Sequence, residues 1–250
     1  MRADSERNPG SAERICSRLS ALHEPPLKLG YLRDALRRLS AREVVELLGL
    51  ALGERGRART SDEVALLTLL LLAGPESSDI RREALARQAS SVGLSEVAFF
   101  VAPRPDEVPE LKRSQLPYEG RPLTLGERKS LARGRDRELL TRVIRDPHPD
   151  VIGIILRNPA LTEMNVIRLA ARPTSSLVLR AILGALPWCL HYQIRLALMQ
   201  NPMMPLGLAV PLVASLRHPD ATALSKAGSL RPELRQAAHM VMQRIHRRSH

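Results

Sequence analysis

Five arginines recur through residues 151–200 of this 250-residue chain, and their side chains are the best candidates for binding a ligand. They are Arg157, Arg168, Arg172, Arg180 and Arg195. Glu163 is the only acidic residue in the same stretch, so few local carboxylates neutralise them. Guanidinium groups donate paired hydrogen bonds, and several on one face would bind phosphates or carboxylates. A solvated outer face without a ligand is an equally good interpretation.

The segment 188–192 brings together rare residue types that often serve in recognition. It holds the only tryptophan of the chain, one of three tyrosines and one of two cysteines. Trp188 and Tyr192 would suit a stacking platform or a partner anchor, because aromatic rings are frequent at interfaces. The alternative, which we favour, is a core tryptophan that opens a helix after Pro187, with Tyr192 one turn further on. A core of leucine and alanine gains much from one large ring.

The sequence lacks the common catalytic and metal-binding motifs. It has no Gly-x-Gly-x-x-Gly, no Gly-Lys-Ser/Thr loop, no Gly-x-Ser-x-Gly and no His-Glu-x-x-His. His246 and His250 have the i,i+4 spacing of metal ligands, but a zinc site normally needs three or four ligands. Cys16 and Cys189 lie far apart, which favours free thiols in a reducing compartment. We therefore expect no enzyme activity, no cofactor and no small-molecule ligand.

The positive charge is concentrated in the last hundred residues. The chain carries 38 basic and 26 acidic residues, a net charge of +12. Residues 1–100 are nearly balanced, with 15 basic and 14 acidic residues, whereas residues 151–250 hold 12 and 3. Such a field attracts nucleic acid, anionic lipid or acidic proteins. A surface that only keeps the protein in solution is the competing explanation.

Composition and apolar spacing predict an all-α fold. Aromatic residues make up only 2% of the chain, while leucine alone supplies 43 residues, which favours helices over sheets. Helical spacing, with capping boxes at 40–43 and 60–63, predicts helices at 15–22, 32–39, 44–52, 64–73, 80–90 and 95–101. The apolar run 64–73 is about half the length needed to span a bilayer, so we expect a buried helix there. The polar N-terminus has no signal-peptide core, and we expect a cytoplasmic location.

Proline placement divides the chain into three predicted regions. Residues 1–101 form an N-terminal helical bundle or the start of a superhelix. Residues 102–123 contain five prolines, which a regular helix does not tolerate, and are predicted to be a linker. A capping box at 124–127 begins the third region, which extends over 124–250.

Prolines in the third region recur at nearly regular intervals. Seven of them lie at positions 147, 159, 173, 187, 202, 219 and 232, whereas Pro211 lies outside this series and should kink or shorten its helix. Since proline is favoured in the first turn of a helix, each interval predicts one helix of roughly ten to twelve residues. Residues 151–159 align with 194–202 at an offset of 43, and with 179–187 at an offset of 28. The first offset is near three helices and the second near two, and the sequence does not decide between them. Either way, short helices must stack to form a core.

These residues resemble leucine-rich repeat variant and HEAT-like helical repeat proteins. The shared pattern is a short helix opening with Val or Ile, then Asn-Pro, then a helix ending in Leu-Ala. The residues that fit are Val151, Asn158, Pro159, Leu169, Ala170, Ile194, Asn201, Pro202, Leu212 and Val213. The resemblance covers about 124–250, and 124–159 is also similar to the start of such arrays in uncharacterised bacterial proteins. It implies an α-helical solenoid of stacked helix pairs. The four-cysteine cluster expected for an iron–sulfur centre is absent here.

Three functions are compatible with a helical repeat. The first is a non-enzymatic scaffold that binds a protein, and an acidic partner would explain the charge. The second is binding of the nucleic-acid backbone by residues 151–250. The third is an enzyme similar to the alkylpurine DNA glycosylases built from HEAT-like repeats. It requires a carboxylate beside exposed rings, and this sequence offers little of that arrangement. We therefore expect the scaffold, with nucleic-acid binding as the alternative.

Overall fold

The computed structural model describes residues 10–53, 59–74, 77–105, 117–118, 121–146 and 148–246. Helices dominate these residues, which confirms the all-α prediction. Extended pairing among them is limited to two antiparallel strands of two residues each, β1 (Pro117–Tyr118) and β2 (Arg121–Pro122). No helix in the described ranges has the length and apolarity needed to cross a bilayer.

The chain divides into two compact units. Unit 1 comprises Met1–Arg104 and Val210–His250, and unit 2 comprises Pro105–Ala209. The division at 1–101, 102–123 and 124–250 stays a prediction. Within the predicted linker, residues 106–116 and 119–120 lie outside the described residues, as does His250.

Unit 1 contains the helices predicted from the first hundred residues. They are α1 (Ser11–Ala21), α2 (Pro25–Arg38), α3 (Ala41–Gly53), α4 (Arg59–Ala73), α5 (Asp79–Ser91) and α6 (Ser95–Val101). The capping box before α3 forms as predicted, since the Glu43 N–H donates to Ser40 Oγ and the Ser40 N–H donates to Glu43 Oε2. Thr60 belongs to the predicted capping box at 60–63, and its side chain lies outside the part of the chain that the structure describes.

The core of unit 1 forms around α3 and α4. α3 packs on α1, α4 and α5, and the apolar run of α4 is buried as predicted. The last helices of the chain, α14 (His218–Lys226) and α15 (Pro232–His246), pack on each other, and α15 also packs on α6. α13 (Leu206–Val213) spans the boundary between the units and contains Pro211, two residues before its end.

Unit 2 is built from short helices. They are α7 (Leu125–Arg133), α8 (Arg137–Val143), α9 (Pro149–Ile155), α10 (Glu163–Ala171), α11 (Ser176–Gly184) and α12 (Tyr192–Gln200). A 3-10 helix, Trp188–Leu190, precedes α12. α7 packs on α8 and α9, α9 packs on α11, and α10 packs on α11 and α12.

The proline intervals each carry one α-helix, as predicted, but the predicted helix lengths are wrong. α9 has 7 residues, α10, α11, α12 and α14 have 9, and α13 has 8. The physical reason lies in the turns. Pro159 and Pro202 do not open helices but lie in turns that precede α10 and α13. These turns take up residues that the prediction had assigned to helix.

Candidate functional site

Two buried asparagines make the same set of hydrogen bonds in unit 2. Asn158 Nδ2 donates to the carbonyls of Ala132 and Gly134 at 2.9 and 2.7 Å, at the C-terminal end of α7. Asn201 Nδ2 donates to the carbonyls of Ala170 and Arg172 at 2.7 and 2.8 Å, at the end of α10. Each Oδ1 accepts the N–H of the residue two positions later, at 2.9 Å.

The chemistry of a helix end explains these contacts. The last carbonyls of a helix have no partner within the helix and carry a partial negative charge. An asparagine side chain offers two N–H donors for them and one oxygen for its own turn. Asn158 follows α9 and Asn201 follows α12, so the contact recurs after three helices. The described geometry therefore supports the offset of 43 as the one that pairs equivalent residues.

Other large side chains also cap helix ends. The Trp188 Nε1–H donates to the Leu156 carbonyl at the end of α9, at 2.7 Å. Arg195 is buried and donates to the carbonyls of Cys189 and Leu190, at 3.1 and 2.6 Å. Its guanidinium lies 5.7 Å from the Tyr192 ring centre. Trp188 is half-buried in a 3-10 helix and does not open an α-helix. Of these predicted site residues, Arg195 is buried, whereas Trp188 and Tyr192 are half-buried.

The other four predicted arginines lie on the surface to different degrees. Arg157 follows α9 and is exposed, as are Arg168 on α10 and Arg172 at its C-cap. Arg180 on α11 is half-exposed. A connection of four residues joins α10 to α11, and the two helices pack on each other. Arg168 and Arg172 thus lie at the C-terminal end of α10, before this connection, and Arg180 lies within α11, after it.

Two exposed apolar residues, which the sequence analysis did not single out, accompany these arginines. Met164 on α10 is 53% exposed, and Leu177 on α11 is 49% exposed. Met164 precedes Arg168 by four residues and Leu177 precedes Arg180 by three, so each pair shares one face of its helix. We name the set Met164, Arg168, Arg172, Leu177 and Arg180 the α10–α11 elbow. A signal for both apolar residues was present in the sequence. Each is an apolar residue near the start of its helix that does not fall on the stripe of buried apolar residues.

The one acidic residue of this region is already paired. Glu163 Oε2 lies 3.2 Å from His191 Nδ1, which joins the start of α10 to the N-cap of α12. The ring of His191 in turn lies against that of Trp188, with 5.6 Å between the ring centres. No group of three or more His, Cys, Asp or Glu side chains in the described ranges could hold a metal ion. The elbow is therefore a cationic and apolar surface.

Comparison with models of known protein families, with curated protein sequences and with solved structures gives no match to this chain.

The two thiols should react with an alkylating reagent at very different rates. Cys16 on α1 is half-buried, whereas Cys189 is buried, and burial raises the pKa of the Cys189 thiol to about 11. Because the thiolate is the reactive form, we expect native Cys189 to react at least about a hundredfold more slowly than Cys16 at pH 8. Peptide mass spectrometry after timed quenching measures both rates.

Unfolding in urea is the control, since both thiols should then react at similar rates. Rapid alkylation of native Cys189 would contradict its buried position. Because Cys16 belongs to unit 1 and Cys189 to unit 2, the two rates also report separately on the opening of each unit.

Proposed function

We propose that this protein is a non-enzymatic helical-repeat scaffold that binds another protein through the α10–α11 elbow. The recurrence of the asparagine contact after three helices supports a repeat of the HEAT-like or leucine-rich repeat variant kind, and so a solenoid. Two free cysteines among the described residues are compatible with the expected cytoplasmic location.

The observation that carries this proposal is the exposure of apolar side chains beside arginines. Met164 and Leu177 are about half exposed, next to Arg168 and Arg180 on the same helix faces. Large apolar side chains next to arginine are typical of protein interfaces, where arginine is enriched and apolar contact supplies much of the affinity. A protein surface offers both types of partner group, carboxylates and apolar side chains.

Binding of the nucleic-acid backbone is the second candidate function. It is favoured by the 12 basic and 3 acidic residues of 151–250. It makes no use of Met164 and Leu177, because phosphates and sugars offer little apolar surface. The rings that could stack on bases already have neighbours, since the Trp188 ring lies against that of His191 and the Tyr192 ring lies beside Arg195. Protein binding therefore explains more of the surface.

Site-specific photo-cross-linking in the native host cell tests the proposal. A benzophenone amino acid replaces Leu177 in the full chain, and in a matched control it replaces Val92, which is exposed to a similar degree on unit 1. We expect a discrete cross-linked protein from position 177 that is resistant to nuclease and absent from position 92. Cross-links that nuclease removes would favour the second candidate. Equal cross-linking from both positions would overturn the elbow as the binding site.

A further inference from the structure

We propose that two copies of this chain associate through the outer face of α2, with the two helices antiparallel across a two-fold axis. The outer face of α2 consists of Glu24, Leu27, Gly30, Tyr31 and Arg38. The inference concerns unit 1 and does not depend on the α10–α11 elbow. It follows from the residue types on this face, from their lack of partners within the chain, and from the charges at the two ends of the helix.

The middle of the outer face carries two apolar side chains. The buried residues of α2 are Leu32 and Leu36, on the side where the helix packs on α1 and α4. Leu27 lies on the opposite side and is 55% exposed, and Tyr31 follows it one turn later and is half-buried. A helix that packs only on its own core carries polar residues on its outer side. This apolar pair is therefore available to a second molecule.

Gly30 lies beside this pair and leaves room for a close approach. A Cβ added at Gly30 would meet no atom within 4 Å, so packing within the described chain does not require a glycine there. Glycine in the interior of a helix is less stable than alanine, because its backbone loses more conformational freedom on folding. Its missing side chain lets the backbone of a second helix come closer, since the side chains at the contact set the distance between helix axes. A second copy of α2 gives Gly30 a role that one copy does not.

The charges at the two ends of α2 complement each other in an antiparallel pair. Glu24 is the N-cap of α2 and Arg38 is its last residue, and both are exposed. Neither side chain has a hydrogen bond or an ion pair with any residue that the structure describes. They are 14 positions apart, about 21 Å along a helix, so they cannot meet within one copy.

A two-fold axis at the middle of α2 resolves this separation. Tyr31 lies midway between Glu24 and Arg38, so an axis there brings Glu24 of each copy to Arg38 of the other. The oppositely charged ends of the two helix dipoles also meet. Asp34, which is exposed on the same side, then lies opposite Lys28 and meets no like charge.

One helix from each copy makes a small interface. Interfaces at the low end of the size range form weak, reversible complexes. A two-fold contact uses the same surface on both copies, so each favourable pair occurs twice. We therefore expect a dimer whose population rises with protein concentration.

Sedimentation velocity of the full chain over about a hundredfold range of protein concentration tests the inference. Glu24→Arg and Arg38→Glu should each weaken self-association about tenfold, because each change brings like charges together at both ends of the helix pair. An equimolar mixture of the two variants should associate about as tightly as wild type, since each end of the mixed pair again joins a carboxylate to a guanidinium. Arg87→Glu reverses an exposed charge on α5 and should change association less than about twofold.

Gly30→Ala separates the contact from the stability of the fold. Alanine favours the helix, so the midpoint of urea denaturation should rise at a concentration where the chain is monomeric. The added methyl group should weaken dimerisation about tenfold, because it enters the closest approach of the two helices. Gly153→Ala is the matched control in α9, where an added Cβ also meets no atom within 4 Å. It should raise the midpoint without changing dimerisation.

The opposite outcomes are equally distinct. A chain that stays monomeric at every concentration overturns the proposal, and so does a mixture that associates no better than either charge variant alone. A dimer that these variants and Gly30→Ala leave unchanged has its contact elsewhere, which also overturns it. A benzophenone amino acid in place of Leu27 should cross-link to a second copy of the chain. A cross-link to a different protein instead would assign the outer face of α2 to that partner and overturn the dimer.

Discussion

Replacement of Asn201 by Asp should destabilise unit 2 by about 4 kcal/mol at neutral pH, although the two side chains have nearly the same shape. Asn201 Nδ2 donates to two carbonyls from a position that is 1% exposed. A carboxylate there would place a negative oxygen against both carbonyls, at the negative end of α10. Asn201→Ala only removes the bonds and should cost about 3 kcal/mol. Urea denaturation measures both losses of stability, and the alkylation rate of Cys189 reports the opening of unit 2.

The charge of the introduced carboxylate gives this prediction a pH signature. Burial against two carbonyl oxygens raises the pKa of Asp at this position in the folded state above its unfolded value. The protonated form donates a hydrogen bond to a carbonyl and so stabilises the folded variant. This contribution to folding stability is present below the unfolded pKa and is lost as the pH rises through the folded pKa. The free energy of unfolding of N201D should therefore approach that of wild type as the pH is lowered from 7 to 4. The difference in free energy of unfolding between N201A and wild type should stay nearly constant over the same range.

Asn165 provides a matched control for the same chemical change. Its Oδ1 accepts the Thr162 N–H at the start of α10, at 3.2 Å. Asp is favoured at a helix N-terminus, so Asn165→Asp should be neutral or slightly stabilising. A loss in N201D no larger than in N165D, or a deficit that grows towards acid pH, would falsify the assignment of Asn201 as the donor that caps α10.

Replacement of Arg244 by Met should destabilise unit 1 by about 3 kcal/mol, because it leaves a partly buried carboxylate without its cation. Arg244 on α15 is 6% exposed, and its Nη1 lies 2.8 Å from Glu96 Oε1 on α6. Its Nη2 also donates to the Ala214 carbonyl at 3.3 Å, just after α13. The side chain thus joins the last helix of the chain to a helix from its first hundred residues. The midpoint of urea denaturation and the alkylation rate of Cys16 measure this loss of stability in unit 1.

A double-mutant cycle with Glu96→Gln isolates the ion pair. We expect R244M to cost less in the E96Q background than in wild type, by at least about 1 kcal/mol. Arg235→Met is the control on the same helix, where the side chain is half-exposed and a change below about 0.5 kcal/mol is expected. Additive effects in the cycle, or equal losses for R244M and R235M, would show that the ion pair does not hold α15 on α6.

Local patterns predicted the helices of the first hundred residues and the start of α7. The box of Ser40 and Glu43, and that of Thr124 and Glu127, need only residues within one turn, and both form as predicted. α6 begins and ends at the predicted residues. Helix lengths near Pro159 and Pro202 were wrong, because the asparagine before each proline forms a turn of its own. From the sequence alone, an asparagine turn of this kind is difficult to distinguish from the start of a helix.

Sequence reasoning selected the five arginines of residues 151–200 as the candidate site but did not separate the buried from the exposed ones. It grouped Arg195 with Arg168 and Arg172, since all three are arginines on short helices with few acids nearby. Arg195 is buried on carbonyls contributed by the preceding turn, while the other two are exposed. It also passed over Met164 and Leu177, whose exposure depends on which helix faces are covered by neighbours.

The sequence by itself determined the helical character of the chain, the helix starts marked by the boxes at Ser40 and Thr124, and the concentration of positive charge towards its C-terminal end. These properties depend on residue type and on contacts within a few positions of each other. Only the tertiary structure decided that Asn201 caps α10, that Arg244 meets Glu96, and that residues 210–250 group with the first helices. Such contacts join residues that are 31 to 148 positions apart. They form because buried polar groups must find partners wherever the packed chain brings them.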